Sequence, residues 1–116
     1  MGYYTTFVLS WDKHQTTEND VTDEKIVEAF GKLPYWEGVD FDTYDSEIYI
    51  GEAKWYDSHD DMYALSKQFP TVLFHLWGNG DDAEDLWTEH WQNGKYQACV
   101  AEIPPYEPGK MRDYHP

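Results

Sequence analysis

Carboxylates are the reactive groups that dominate this chain, and they are concentrated in two stretches. The 116 residues include 23 Asp and Glu against 8 Lys and Arg, for a formal net charge of −15. Carboxylates at this density can pair with the Lys and Arg of a partner or bind cations. In the first stretch, residues 37–61, one base, Lys54, opposes nine acids: Glu37, Asp40, Asp42, Asp45, Glu47, Glu52, Asp57, Asp60 and Asp61. The second stretch is Asp81, Asp82, Glu84 and Asp85.

These two stretches predict an anionic binding surface if they meet on one face of the fold. In an extended segment such as 40–42 or 45–47, alternate side chains lie about 6.6 Å apart on one face. A row of charges with that spacing suits a row of Lys or Arg that normally meets a phosphate backbone. If the stretches lie on opposite sides, a solvated face that serves solubility is the better interpretation.

Catalytic motifs do not emerge from the sequence, so we predict a protein that is not an enzyme and needs no cofactor. Acid pairs such as Asp60 and Asp61 can serve as acid and base in principle, but nothing in the sequence shows them converging. Gly78-Asn79-Gly80 precedes an acidic turn and therefore does not resemble a phosphate-binding loop. The chain also has no Gly-x-Ser-x-Gly segment.

Histidines next to carboxylates raise the question of a metal site. His75 and His90 are expected to face each other on neighbouring strands, and the run Asp57-Ser58-His59-Asp60-Asp61 is dense in oxygen ligands. The spacing matches no known ligand motif, and the three acids of the run have a simpler role at a helix N-terminus. We therefore predict no specific metal site.

Aromatic residues form a second candidate surface on the last three strands. Trp77, Trp87 and Trp91 fall at alternating positions, with Tyr96 across the hairpin. They can pack beneath the helices, form a protein interface, or stack on RNA bases. The acids nearby oppose RNA stacking, since such platforms need basic neighbours. Packing beneath the helices is the favoured interpretation; as binding residues, Trp87 and Trp91 are predicted to anchor a protein partner and not nucleic acid.

Cys99 is the one cysteine of the chain, so an intrachain disulfide is excluded and a reducing compartment is favoured. Because it falls in a predicted strand, we expect it to be a small buried side chain. The N-terminus lacks the basic and apolar parts of a signal peptide, and no apolar run approaches the roughly 20 residues of a membrane span. A cytoplasmic protein without membrane contact is expected.

Two helices and five strands are predicted to position these groups. The first helix begins at Thr22 and is bracketed by Gly31 and Pro34; the second is capped by Ser58 and stops at Pro70. Their apolar stripes are Ile26, Phe30 and Leu33, and Met62, Leu65 and Phe69. The strands are 3–11, 47–56, 71–77, 85–91 and 95–103, while residues 12–21 and 35–46 are irregular.

Local signals refine the predicted strands. Gly51 indicates a bulge, and Asn93-Gly94 predicts a tight hairpin. Strand 71–77 is apolar on both faces, which favours a central position in the sheet.

The element order β-α-β-α-β-β-β predicts an α+β fold. Two helices should pack on one face of a mostly antiparallel sheet of four to five strands. Strands joined through each helix should be parallel, either adjacent or as a split β-α-β unit. Residues 1–103 form one domain in this prediction, and residues 104–116 form an extended C-terminal tail.

The middle and end of the chain resemble a known group of proteins. The residues that carry the resemblance are Lys54-Trp55-Tyr56-Asp57, Asp61-Met62, Leu65-Ser66, Phe69-Pro70, Val72-Leu73-Phe74, Gly78-Asn79-Gly80, Asp85-Leu86-Trp87 and Asn93-Gly94-Lys95. Over residues 50–103 the chain is similar to the YubB-like family of small phage and prophage proteins. The resemblance implies a ferredoxin-like sandwich and a mobile-element origin, and it carries over no catalytic residue. The acidic segment 35–47 is not part of the family pattern.

Two functional hypotheses follow from the acids and the resemblance. The leading one is a phage-type inhibitor that binds and blocks a host nucleic-acid-binding defence protein with a basic groove, such as a CRISPR effector or a restriction nuclease. In it, the acids of 37–61 and 81–85 replace a nucleic-acid backbone, and no nucleic acid is bound directly. The alternative is a small phage accessory protein that binds a protein through its aromatic sheet face. Either is compatible with a monomer or a dimer.

Overall fold

The structure, a computed structural model, describes residues 5–12, 21–80, 86–100 and 105–113. Its elements are β1 (Thr5–Asp12), α1 (Asp23–Gly31), β2 (Asp42–Tyr44), β3 (Glu47–Ala53), α2 (Ser58–Gln68), β4 (Leu73–Asn79), β5 (Leu86–Gln92) and β6 (Lys95–Val100), followed by a 3-10 turn (Pro108–Lys110). Within these residues, no helix is long and apolar enough to cross a bilayer. The fold is therefore α+β, with six described strands instead of the predicted four to five.

The first helix begins as its sequence predicts, and the second begins differently. The Thr22 hydroxyl accepts a hydrogen bond from the Lys25 amide at 3.3 Å, which satisfies one free N–H of α1. In α2 the residue before the first turn is Asp57, whose side chain makes no capping hydrogen bond, and Ser58 is already helical. The predicted Ser58 cap is thus wrong by one position, and α2 relies on tertiary packing for its stability.

The strands pair in the order β2-β3-β1-β4-β5-β6, and every neighbouring pair is antiparallel. It follows that β1 is parallel to β2 with β3 between them, and that β3 is parallel to β4 with β1 between them. Each helix connects one of these split pairs, as the sequence predicts for strands joined through a helix.

The unpredicted strand β2 changes the relation between the first two predicted strands. Our expectation made β1 and strand 47–56, the strands joined through α1, parallel to each other, whether adjacent or in a split unit. The chain instead forms β2 and turns at Asp45-Ser46, so that β3 lies antiparallel against β1. Two neighbouring features are confirmed. Thr6 faces Glu52 while Phe7 faces Ile50, which leaves Gly51 as the bulged residue, and β4 lies inside the sheet between β1 and β5.

The core lies between one face of the sheet and both helices. Phe7, Leu9 and Trp11 alternate along β1 toward the helices, and they form one cluster with Ile26 and Phe30 of α1 and with Met62 and Leu65 of α2. The helices therefore share one face of the sheet, as predicted.

The opposite face, which we call the open face, has no helix of the described chain packed on it. The register places Val8, Trp77, Thr88 and Cys99 there in one row across β1, β4, β5 and β6. The indole of Trp77 is 48% exposed. Cys99 is also exposed, so the expectation of a buried cysteine is wrong. The reason is that β6 forms an edge of the described sheet, where all six of its residues are exposed.

Candidate functional site

The strongest candidate site is a groove between α1 and β2, which we call the acidic groove. Its volume is about 450 Å³, and its lining is Asp23, Glu24, Val27, Glu28, Thr43, Tyr44 and Asp45. Four of these seven residues are carboxylates, and Val27 adds apolar surface. A Lys or Arg side chain can lay its stem on such surface and place its charge among the carboxylates.

Asp23 holds the two sides of this groove together. Its carboxylate accepts the indole N–H of Trp11 at 2.9 Å and the hydroxyl of Ser46 at 3.3 Å. The Trp11 amide also donates to the Ser46 carbonyl at 3.2 Å. The start of α1, the end of β1 and the turn between β2 and β3 are thereby fixed relative to one another. The groove is consequently preorganised, which lowers the ordering cost of binding.

The remaining carboxylates of the groove are available to a partner to different degrees. Glu28 forms an exposed ion pair with Lys32, with Oε1 and Nζ 3.0 Å apart. Within the described part of the chain, no ion pair involves Glu24 or Asp45, and both are exposed. These two carboxylates are therefore the groove residues best placed to meet an incoming cation.

Two further depressions adjoin the acidic groove around the β2–β3 hairpin. One, of about 500 Å³, shares Asp45 with the groove and adds Asp12 and Glu47. The other shares Tyr44 and is lined also by Asp42 and Tyr49. The rings of Tyr44 and Tyr49 meet edge to face with centroids 5.1 Å apart. Carboxylates and two aromatic rings thus lie close together around the hairpin, a combination that binds guanidinium groups by charge and by cation–π contact.

The pKa of Tyr49 reflects the negative charge around this hairpin. A hydrogen bond with Glu47, reinforced by the Glu47 charge, raises the pKa of the Tyr49 phenol. The phenol therefore stays neutral, donates its hydrogen bond to Glu47, and adds no further repulsion to the site.

The predicted row of alternating acids does not form. Asp42 lies in β2, but Asp45 lies in the turn, Glu47 begins β3, and Asp40 precedes β2 outside any strand. The turn intervenes because Ser46 adopts a positive φ of 57° and reverses the chain. The acids are therefore brought together by a hairpin and a neighbouring helix instead of by one extended segment.

The other predicted acids lie away from the groove. Glu37 is exposed in the segment after α1, and Asp57 and Asp60 are exposed at the start of α2. This start follows β3 at Ala53, the opposite end of that strand from Glu47. The run Asp81, Asp82, Glu84 and Asp85 lies outside the described residues. That both acidic stretches share a face therefore stays a prediction.

Asp61 is a buried structural residue, although it was predicted to belong to the binding surface. It is 7% exposed, and its carboxylate accepts the indole N–H of Trp55 at 2.7 Å. Burial raises the pKa of the Asp61 carboxyl most, the Trp55 hydrogen bond lowers it, and the charges of Asp57 and Asp60 raise it further. A partner at the surface has little access to it.

The predicted aromatic anchors face the helices and do not share a surface with Trp77. Trp91 is 2% exposed, and its indole donates to Glu89 at 3.0 Å. Trp87 is half-buried; its ring packs edge-on against Phe7, with centroids 5.9 Å apart. Alternation along β5 correctly placed the two on one face, but that face is the core. Trp91 therefore presents almost no surface to a partner.

The two histidines face each other as predicted. His75 Nδ1 and His90 Nδ1 are 2.7 Å apart across β4 and β5 on the open face. At that distance one nitrogen donates and the other accepts, so the two Nδ1 atoms hold one proton between them. Burial, and then His90, lowers the pKa of His75, while Asp12 acts in the opposite direction. In the described chain, no group of three or more His, Cys, Asp or Glu is arranged to hold a metal ion.

Sequence reasoning missed the contribution of α1 and of the tyrosines to the site. Asp23 and Glu24 lie in the first turn of α1, where acids are common, and the same position brings them to β2. Tyr44 and Tyr49 were not singled out, although Tyr44, Glu47 and Tyr49 flank Asp45-Ser46 as a hairpin would require. A hairpin prediction at that turn would have located the groove.

Comparison of the chain with protein-family models, with curated proteins and with solved structures finds no match.

Proposed function

We propose that this protein is a non-enzymatic inhibitor whose acidic groove binds a basic surface of a nucleic-acid-binding protein. The observation that carries the proposal is the grouping of Glu24 and Asp45 with Asp23 and Glu28 around Val27. Charge-assisted contacts to Lys or Arg supply the attraction, and the apolar floor receives their aliphatic stems. Nucleic acid itself is repelled by a chain of net charge −15.

The target class follows from what the carboxylates replace. A protein that handles nucleic acid displays Lys and Arg spaced to meet phosphates, and a preformed anionic surface can occupy the same groove. The resemblance to small phage proteins selects a host defence protein within that class, such as a CRISPR effector or a restriction nuclease. In this proposal the protein acts in the cytoplasm of the host cell.

We also propose that the fold is a ferredoxin-like core with an added hairpin. The element order β1-α1-β2-β3-α2-β4 and the strand order β2-β3-β1-β4 support this, since both describe two interleaved split β-α-β units. β5 and β6 then extend the sheet beyond β4. The fold class alone indicates no activity, so the functional proposal depends on the groove.

The test is competition with DNA on purified defence nucleases, using charge reversal in the groove. Glu24→Lys with Asp45→Lys should weaken displacement of labelled duplex DNA at least about a hundredfold, because two charge-assisted contacts of about 1.5–3 kcal/mol each are lost. Fluorescence anisotropy measures the displacement, and binding of the unchanged protein should weaken steeply as salt rises.

Asp57→Lys with Asp60→Lys provides the matched control. It makes the same change in net charge and also removes a first-turn acid, but at α2 instead of α1. It should keep most of the competition. Equal loss of DNA displacement in both double variants would show that the effect depends on net charge alone. Full displacement by the groove variant would refute the proposal.

The alternative function, an accessory protein that binds a partner through an aromatic sheet face, is favoured by the open face. Trp77 is 48% exposed there, whereas Trp87 and Trp91 face the core. Trp77→Ala should then abolish partner binding while the groove variant keeps it, and salt should have little effect.

A further inference from the structure

β6 is a strand whose outer edge the described chain leaves unpaired. It forms one edge of the sheet, and all six of its residues are exposed. The second helix packs on β5 and reaches β6 at Tyr96, whose ring lies 5.4 Å from that of His59 between centroids. Tyr96 is 53% exposed and Val100 is 70% exposed, on the same side of the sheet as the core. An edge of this kind is a template for another strand.

The hairpin geometry identifies which backbone groups face outward. Asn93 and Gly94 have φ values of 50° and 77°, which define a two-residue turn of the type that closes tight hairpins. The flanking residues Gln92 and Lys95 then exchange hydrogen bonds, and the pattern alternates along the strand. The N–H and C=O groups of every second residue therefore point away from β5. These residues are Tyr96, Ala98 and Val100.

Charge favours β6 over β2 as the edge at which two copies can meet. A second copy of the chain also carries −15 and is repelled wherever acids face acids. β6 contains no carboxylate and has one base, Lys95, whereas the opposite edge, β2, includes Asp42 and continues into Asp45. The β6 edge is consequently the sheet edge at which two copies can approach with the least repulsion.

We propose that two copies pair through β6 as antiparallel strands related by a two-fold axis at Ala98. Ala98 then faces Ala98 of the second copy, and Tyr96 faces Val100 of the second copy. This register brings all the outward backbone groups into about six hydrogen bonds, two for each facing pair. Tyr96 is already positioned for the contact, because its ring stacks on Trp91 with centroids 4.5 Å apart and planes 14° apart.

The resulting assembly is one continuous sheet with both pairs of helices on the same side. Its interface is isologous, as in most two-fold dimers. The inference is independent of the acidic groove, which lies at the other edge of each sheet. The two respond oppositely to salt: screening strengthens contact between two anionic copies and weakens binding of the groove to a basic partner. Failure of one is thereby distinguishable from failure of the other.

The first test is disulfide cross-linking in this register. Gln97 lies opposite Cys99 of the second copy as a pair without hydrogen bonds, whose Cα atoms are about 4.5 Å apart and thus within disulfide range. Gln97→Cys should form covalent dimers on mild oxidation, measured by non-reducing electrophoresis. The control Gln97→Cys with Cys99→Ser should not, since the two introduced cysteines are then diagonal. Absence of cross-linking in the first variant would overturn the register.

The second test is sedimentation velocity at low and high salt. The unchanged protein should shift from monomer toward dimer as salt and protein concentration rise. Val100→Glu should return it to monomer, while Val39→Glu, the same change at another exposed valine, should leave the dimer intact. A monomer at high salt, or equal loss of dimer in both variants, would overturn the proposal.

Discussion

At the scale of single residues, several acids of this chain accept hydrogen bonds from its tryptophans. The indole N–H groups of Trp11, Trp55 and Trp91 donate to Asp23, Asp61 and Glu89, respectively. A buried indole needs such an acceptor; among the described residues, Trp36 Nε1 is buried without a hydrogen-bond partner. Part of the acid excess is thus structural, which total charge alone does not reveal.

The bond between Trp55 and Asp61 gives a residue-scale prediction. Trp55→Phe should lower the free energy of unfolding by about 1–3 kcal/mol, since a buried carboxylate oxygen loses its donor. Because that bond lowers the pKa of Asp61, the pKa should also rise above its already raised value. Urea denaturation and an NMR titration of Asp61 measure the two effects. Trp77→Phe, at an exposed site, is the control, and an unchanged Asp61 pKa would contradict the prediction.

The histidine pair gives a second prediction at this scale. The lowered pKa of His75 means that, below the ordinary value of about 6.5, the unfolded state binds more protons than the native state. Stability attributable to this group is therefore complete above that pH and falls as the pH drops toward the native pKa. His75→Gln should reduce the loss of unfolding free energy between about pH 7.5 and about pH 5.5. Identical losses in the two proteins, measured by urea denaturation, would exclude His75 as the cause.

At the scale of elements, the contact between β4 and β5 depends on a glycine. A Cβ at Gly78 would overlap the Trp87 ring, which crosses the strand at that point. Gly78→Ala should destabilise the protein by about 1–3 kcal/mol through overpacking. A double-mutant cycle with Trp87→Ala should show that much of this cost disappears when the ring is removed.

Gly51→Ala is the matched control for this cycle. No atom lies within 4 Å of a Cβ placed at Gly51, and its φ is not in the left-handed region. The substitution should be neutral, or stabilising by about 0.4–1 kcal/mol, because it restricts the unfolded chain. Equal destabilisation at both glycines would show that the Trp87 ring is not the cause at Gly78.

The elements also show where sequence patterns were sufficient. Both helices and the Asn93-Gly94 hairpin were predictable because their apolar spacing, breakers and turn residues are strong local signals. β2 was not, since its three residues are all exposed and its turn uses Ser46 at positive φ instead of Gly or Asn. Because β2 was not predicted, neither the orientation of β3 nor the acidic groove could be predicted.

At the scale of the whole molecule, the charge has three separate uses. Some acids accept indole hydrogen bonds, some lie in the first turns of the helices, and some surround the β2–β3 hairpin. The sequence predicted an acidic surface within 37–61 but could not predict which acids meet, because α1 approaches β2 only through tertiary packing. The candidate site accordingly lies where two separate segments meet, the start of α1 and the β2–β3 hairpin, and not within one stretch of sequence.

The central place of β1 has a consequence for the order in which the chain can fold. β1 comes first among the described strands, yet its two neighbours, β3 and β4, are synthesised later. Its edges therefore stay unpaired until the chain has grown through Ala53 and then through Asn79. β5 and β6, by contrast, are joined by two residues and can close at once. Completion of the sheet at β1 is thus a long-range step, with the slow, late closure typical of such contacts.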